Sequence, residues 1–136
     1  MRLSKIIETC IYASNLEEMK NFYIKYLGLE LVSEEKERSV FLKAGKSMLL
    51  IFNPTNTLNN TNKLFPKHGA ITPPSIIHFA LEIQKEDYEK WKYILQDNKI
   101  YIEKEIELYD SKSIYFRDPA GNLVEFITNN AWPVDN

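Results

Sequence analysis

Tyr115-Phe116-Arg117-Asp118-Pro119-Ala120-Gly121-Asn122-Leu123-Val124-Glu125-Phe126 reads as the facing parts of two apolar strands, 113–117 and 123–128, joined by a tight turn. The turn, Asp118 to Asn122, has Pro and Gly where a hairpin needs a fixed φ and a residue free to go left-handed. Working back from it, 101–108 is strand-like and 85–97 reads as a helix carrying Tyr88, Trp91, Tyr93, Ile94 and Leu95. Residues 75–83 open the set with a further strand. The order is strand, helix, strand, strand, strand.

The same order stands earlier in the chain. A strand at 5–13 leads to an Asn15 cap and a helix running through Leu27, with Leu16, Met19, Phe22, Tyr23, Tyr26 and Leu27 at helical spacing and Gly28 as its stop. Strands follow at 29–34, 39–43 and 47–52, the last two split by Ala44-Gly45-Lys46. Between the halves, the 22 residues of 53–74 are rich in Asn, Thr and Pro and break all periodicity, as linkers and lids do. The reading is therefore an α+β chain with an internal βαβββ repeat, forming a single domain over 1–136. Module 1 covers about 4–54, a linker or lid 55–74, and module 2 about 75–129.

Bulk properties narrow the function classes. With 44% hydrophobic and 26% charged residues the chain is an ordinary globular one, not a disordered one. A formal net charge of -2 with mixed signs gives no basic stripe, so no nucleic-acid partner is expected. The single Cys10 excludes an intramolecular disulfide framework. The N-terminus is charged too early for a signal peptide, and apolar runs such as 48–52 are far short of a membrane span. A soluble cytoplasmic protein with no membrane partner is expected.

Overlaying the halves pairs Ile7-Glu8-Thr9-Cys10-Ile11 with Ile77-His78-Phe79-Ala80-Leu81, so a titratable residue interrupts each apolar first strand at the same place. The closing strands pair Met48-Leu49-Leu50-Ile51-Phe52 with Leu123-Val124-Glu125-Phe126-Ile127, where only the second half has a carboxylate. Glu8, His78 and Glu125 are thus polar intrusions at repeat-related positions.

These residues also carry a family resemblance. The opening, Glu8 to Leu29 with Asn15-Leu16, Phe22-Tyr23 and Leu27-Gly28-Leu29, resembles that of the vicinal oxygen chelate superfamily, which spans glyoxalase, bleomycin-resistance and dioxygenase-like proteins. Ile77-His78-Phe79-Ala80 and the Tyr115–Phe126 stretch resemble its closing motif more specifically, and the likeness covers roughly residues 5–128. It implies paired βαβββ modules whose mixed sheets curl around a metal or ligand cup. It also implies that His78 and Glu125 stand at metal-ligand positions, with Glu8 where many members have His or Gln. The fourth ligand of glyoxalase I aligns with Leu49 or Leu50, a departure from that enzyme's pattern.

On that resemblance the expected site is one divalent metal, Zn, Ni, Mn or Fe(II), held by Glu8, His78 and Glu125, since one imidazole and two carboxylates suit ions of intermediate character. Three protein ligands leave positions open for substrate. Glu125 is the expected general base, with Glu8 second. The expected function is a glyoxalase-type lyase or isomerase acting on a small carbonyl compound or thiol adduct. A metal-free drug-binding protein and a thiol transferase of fosfomycin-resistance type are the alternatives, and a ring-cleaving dioxygenase ranks below them. A homodimer is expected. Taken singly, each residue has a plainer reading, His78 as a hydrogen-bonded core residue and Glu8 and Glu125 as strand-surface groups. Cys10 and Tyr12 share the face of Glu8 by alternation. His68, beside Gly69 in the long loop, reads as a solvated loop residue, with a substrate contact or a lid residue as the alternatives. Arg38, Lys63 and Lys67 read as surface cations and Arg117 as half of a local ion pair. Phe52, Phe65, Tyr109, Tyr115 and Trp132 read as core or as an aromatic wall.

Overall fold

The computed structural model describes residues 1–59, 65–69 and 77–134. The chain forms two compact units, residues 1–75 and 76–136. The first contains β1 (Glu8–Tyr12), α1 (Leu16–Asn21), a π-helical turn (Phe22–Tyr26), β2 (Glu30–Glu35), β3 (Ser39–Ala44), β4 (Ser47–Phe52) and α2 (Pro54–Leu58). The second contains β5 (His78–Ile83), a 3-10 turn (Lys85–Asp87), α3 (Tyr88–Asp97), β6 (Ile102–Leu108), β7 (Ser111–Arg117) and β8 (Leu123–Thr128). Each unit holds one open four-stranded mixed sheet, in the orders β1-β4-β3-β2 and β5-β8-β7-β6. The α+β class and the repeat are as the sequence reads.

Local chemistry accounts for these elements. The Asn15 side chain caps α1 by accepting from the Glu18 N–H at 3.0 Å, and Glu17 and Glu18 sit in the first turn, where the helix dipole favours them. Gly28, at φ +74°, turns the chain out of the helical segment, and the N–H groups of Gly28 and Leu29 return to the carbonyls of Ile24 and Tyr23. One face of each sheet makes the core. In the first, Ile11, Leu42 and Ile51 are fully buried, with Met19 and Tyr23 of the helical segment. In the second, Phe126 meets Trp91 of α3 at 5.0 Å and Phe116 at 4.9 Å between ring centroids.

One expectation needs correcting. The 53–74 stretch is not wholly aperiodic, because α2 begins it: Asn53 accepts from the Thr55 N–H at 3.1 Å and Pro54 occupies the first turn, where its missing N–H costs nothing. A helix this short has too few apolar positions to show periodicity. Strand β5 is described from His78; residues 60–64 and 70–76 lie outside the described part, so the expected strand start at 75 and the lid expectation lie outside it too. Among the described residues no helix is long and apolar enough to cross a membrane.

Strand register makes the repeat a residue-level correspondence. In the first sheet Glu8 pairs with Met48, Cys10 with Leu50 and Tyr12 with Phe52. In the second, His78 pairs with Leu123 and Ala80 with Glu125. Glu8 and His78 are therefore equivalent, and Leu50, not Leu49, stands where the second module has Glu125. Even the irregularities recur, with register shifts at Leu31/Ser33 and at Ile102/Lys104.

Candidate functional site

Strand alternation puts Glu125 on the face of β8 opposite to Phe126, and so opposite to the helix-packed core. Ser113 and Tyr115 of β7 share that face, as do His78 and Ala80 of β5. His78 Nε2 lies 3.2 Å from Glu125 Oε1. Glu125 is only 6% exposed, and its Oε2 accepts from Ser113 Oγ at 2.6 Å. The short bond to an ionised acceptor is the strong kind. Burial first, then the Glu125 carboxylate, push the Tyr115 phenol above its usual range, so it stays a neutral donor beside that carboxylate.

His78 has its orientation fixed from behind. Its Nδ1 is 3.0 Å from the Leu123 carbonyl, which only accepts, so Nδ1 carries a proton and donates. Nε2 is then the nitrogen left to face Glu125, on a side chain 49% exposed. A backbone-tethered imidazole presenting its other nitrogen beside a buried, hydroxyl-held carboxylate is the donor arrangement that ligand histidines use. On that chemistry His78 and Glu125 fit a divalent ion.

The Asp118–Asn122 turn holds the pair together. Asp118 Oδ1 accepts from the N–H groups of Ala120 (2.9 Å) and Asn122 (3.0 Å), and Oδ2 from the Asn122 side-chain amide at 2.8 Å. Asn122, fully buried, uses its own Oδ1 to accept from Ile77 N–H at 3.2 Å. Ile77 and Leu123 precede His78 and Val124, so one buried amide ties the strand bearing His78 to the strand bearing Glu125.

The other expected residues fall as follows. Glu8 opens β1 and is exposed, on the same face as Cys10 and Tyr12. Burial first, then the Glu8 charge, push the Cys10 thiol up, which disfavours the thiolate. Among the described residues no group of three or more His, Cys, Asp and Glu side chains converges at metal-binding distance. Arg117 makes the local ion pair expected of it, with Nε 2.8 Å from Glu103 Oε2, and holds Glu103 below the usual carboxylate range. Arg38 pairs with Glu35 at 3.5 Å, Lys67 is exposed, and Lys63 lies outside the described residues. The five aromatics are not gathered into one wall: Tyr109 and Trp132 are 93% and 70% exposed, and Phe52 packs with Phe41 in the first module. A cleft of about 780 Å³ between the start of α1 and the β2–β3 turn includes Glu17, Lys20, Glu34 and Glu37 and none of the expected site residues.

Sequence reasoning missed Ser113, which a two-residue step from Tyr115 on a shared face would have found once the β7–β8 register was known. It also missed the Tyr12–His68 contact, 2.8 Å between Oη and Nδ1, for which a loop histidine gives no signal.

Known proteins bear on this arrangement. The profile of the Glyoxalase/Bleomycin resistance protein/Dioxygenase superfamily matches residues 5–126. A relative from Staphylococcus epidermidis named Metallothiol transferase FosB is 27% identical over 130 residues, 94% of this chain and 84% of that protein. The protein of the same name from Staphylococcus saprophyticus is 28% identical over 117 residues, 85% and 70% of the two chains. Among solved structures, the lactoylglutathione lyase from Agrobacterium tumefaciens superposes with a TM-score of 0.90 at 33% identity, covering 98% of this chain and all of the other.

Proposed function

The chain belongs to the Glyoxalase/Bleomycin resistance protein/Dioxygenase superfamily, and on that premise we propose that it is a metal-dependent enzyme of glyoxalase type, acting on a small carbonyl compound joined to a thiol. The observation that carries this reading is the buried Glu125 carboxylate, held by Ser113 and set 3.2 Å from His78 Nε2. Glu8, His78 and Glu125 would hold one divalent ion, which when bound supplies a Lewis acid for a substrate oxygen. With Oε2 occupied by Ser113, Oε1 of Glu125 is the oxygen that takes a proton from the carbon beside the carbonyl and returns it to the neighbouring carbon. Tyr115, a neutral donor alongside, steadies the carboxylate through the transfer.

A homodimer, with both modules working as one domain, belongs to the same proposal. The similarity to a lactoylglutathione lyase at 33% identity over nearly the whole chain supports the substrate class.

A second reading is a thiol transferase that adds a thiol to an epoxide such as fosfomycin. It is favoured by the relatives named Metallothiol transferase FosB at 26–28% identity. Both readings put a sulfur-bearing substrate at the site, and Glu8 separates them: a carboxylate in place of a neutral imidazole adds negative charge, which disfavours an anionic epoxide.

The test is elemental mass spectrometry of untagged protein beside His78→Ala, followed by turnover of the methylglyoxal–glutathione adduct and of fosfomycin with cysteine. Near-stoichiometric metal lost in the variant, with turnover of the first substrate, is the expected result. Turnover of fosfomycin alone transfers the conclusion to the second reading. Protein that stays metal-free after incubation with Zn, Ni, Mn and Fe(II) overturns both.

A further inference from the structure

In the first module, Leu50 and Phe41 stand where the second has Glu125 and Tyr115, so the face that carries Glu8 is apolar along β4, with Phe41 beside it on β3 between Ser39 and Lys43. Residues 65–69 lay an imidazole on it. His68 Nδ1 is 2.8 Å from the Tyr12 hydroxyl. Its ring meets Phe52 edge-on, at 4.8 Å and 84°, and lies 5.8 Å from the ring of Tyr12. Phe52 in turn packs on Phe41 at 5.5 Å. A solvated loop histidine would not have two ring contacts and a hydrogen bond.

The backbone beside it is shaped for the same end. Gly69 has φ +148°, and a Cβ there would lie 2.9 Å from Leu58 Cγ and 3.1 Å from Thr57 Oγ1. Only glycine lets the loop lie this close to α2, and this close approach holds His68 over the sheet.

The pair bears on which nitrogen carries the proton. Tyr12 is kept neutral, since burial first and then Cys10 push its phenol up. A neutral phenol can donate its O–H, and when Nδ1 accepts it the imidazole proton sits on Nε2. Among the described residues that N–H has no hydrogen-bond partner.

We propose that His68 is a substrate-orienting residue: held by Tyr12, it donates its Nε2–H to a carbonyl or oxyanion oxygen of a small substrate whose apolar part rests on Phe41 and Phe52. Tyr12 shares its strand face with Glu8, so the inference rests on the reading of Glu8 as part of the site.

The chain has only two histidines, so isotope-labelled histidine gives two imidazole signals, assigned with His68→Gln. The probes are S-lactoylglutathione and fosfomycin, each raised to about 10 mM on metal-free and on Zn-loaded protein. The His68 Nε2 resonance is expected to move saturably with one probe. Tyr12→Phe and Gly69→Ala keep the imidazole but loosen its hold, and should weaken that probe roughly 3- to 10-fold. In the turnover assay His68→Gln should raise KM by a similar factor of about 3 to 10, with kcat nearly kept and metal content unchanged. A His68 signal that stays fixed with both probes, or His68→Gln binding within about twofold of the parent, overturns the inference. The two levels separate cleanly. Turnover with a silent His68 sinks this inference alone, whereas a saturable His68 shift on protein that neither holds metal nor turns over leaves it standing and removes the proposed reaction.

Discussion

In the first module Phe41 lies opposite Leu50; at the same place in the second, Tyr115 lies opposite Glu125. The serine two residues upstream is present in both, as Ser39 and Ser113, and both are buried. The turns differ too. Gly45 and Lys46 alone join β3 to β4, while β7 and β8 are joined through Asp118 to Asn122 with its internal set of hydrogen bonds. One scaffold thus carries two chemistries: an apolar, aromatic face onto which a loop brings His68, and a polar face built around a buried carboxylate. The strand pairings that set each position do not depend on which chemistry sits there, so the face of a module can change while its core stays.

The largest effect should come from removing the feature found only in the second module. Glu125→Gln keeps the shape and the Ser113 contact but cannot take a proton. If Glu125 is the base, turnover should fall by about 10²–10⁴ with the thermal transition within a few degrees of the parent. Activity equal to the parent would end its role as base and leave the difference between the two faces without a catalytic meaning.

The reverse swap asks whether the first module can accept the second's chemistry. Leu50→Glu puts a carboxylate at a position 8% exposed, opposite Phe41 rather than a tyrosine. With phenylalanine rather than tyrosine opposite it, the charge is poorly satisfied, and the cost should be about 2–4 kcal/mol by denaturant unfolding. Adding Phe41→Tyr should recover part of it. A neutral Leu50→Glu would mean the face is wetter than its packing suggests.

The turns give a smaller contrast. Asn122 is fully buried and joins the Asp118 turn to Ile77. Asn122→Ala takes the acceptor from the Ile77 N–H and one of the three hydrogen bonds described to the Asp118 carboxylate, at a cost of about 1–3 kcal/mol, and should also loosen the His78–Glu125 spacing. Metal affinity should drop with stability in this variant, whereas Lys46→Ala in the first module's turn should change neither by more than about 0.5 kcal/mol.

How much of this was legible beforehand follows from what each part depends on. The strands and the long helices were readable because burying one face of a sheet imposes period two, and packing on it imposes period 3.6. The β4 and β8 bounds match the sequence reading because a glycine-containing turn precedes each. Helix α2 escaped because its signal is a cap and a proline, not a period. Glu8, His78 and Glu125 stood out as polar residues in apolar strands, and the register settles that they are repeat-related. Ser113 and His68 did not, for a physical reason: their roles come from pairing across strands and from a loop folding onto a sheet, which are non-local. Whether a polar strand residue is a surface group or a site residue depends on the partner opposite.

The smallest contrast lies between helix and edge strand. In the first module Lys20 of the helix meets Glu34 of β2 at 3.1 Å, in a pair open to solvent. In the second, Glu105 of β6 accepts from Tyr88 Oη at 2.7 Å and meets Lys92 at 3.1 Å, both on α3. The Tyr88 hydrogen bond first, then the Lys92 bond and charge, outweigh desolvation and hold the Glu105 carboxyl below its ordinary value of 4.5. A folded-state value below the unfolded one means that the unfolded chain binds more protons in mild acid. Stability from this contact is therefore fully present above about pH 4.5 and lost as the pH falls through the lower, folded value. With Glu105 partly exposed, screening limits the contribution to at most about 1 kcal/mol. Tyr88→Phe should lower stability by about that amount at pH 7 and flatten the loss between about pH 5 and 3, while Lys20→Met should leave the acid limb of the curve almost unchanged. Parallel acid limbs for the parent and Tyr88→Phe would show that Lys92, not the phenol, holds Glu105 ionised, and the two modules would then secure their edge strands by the same kind of ion pair.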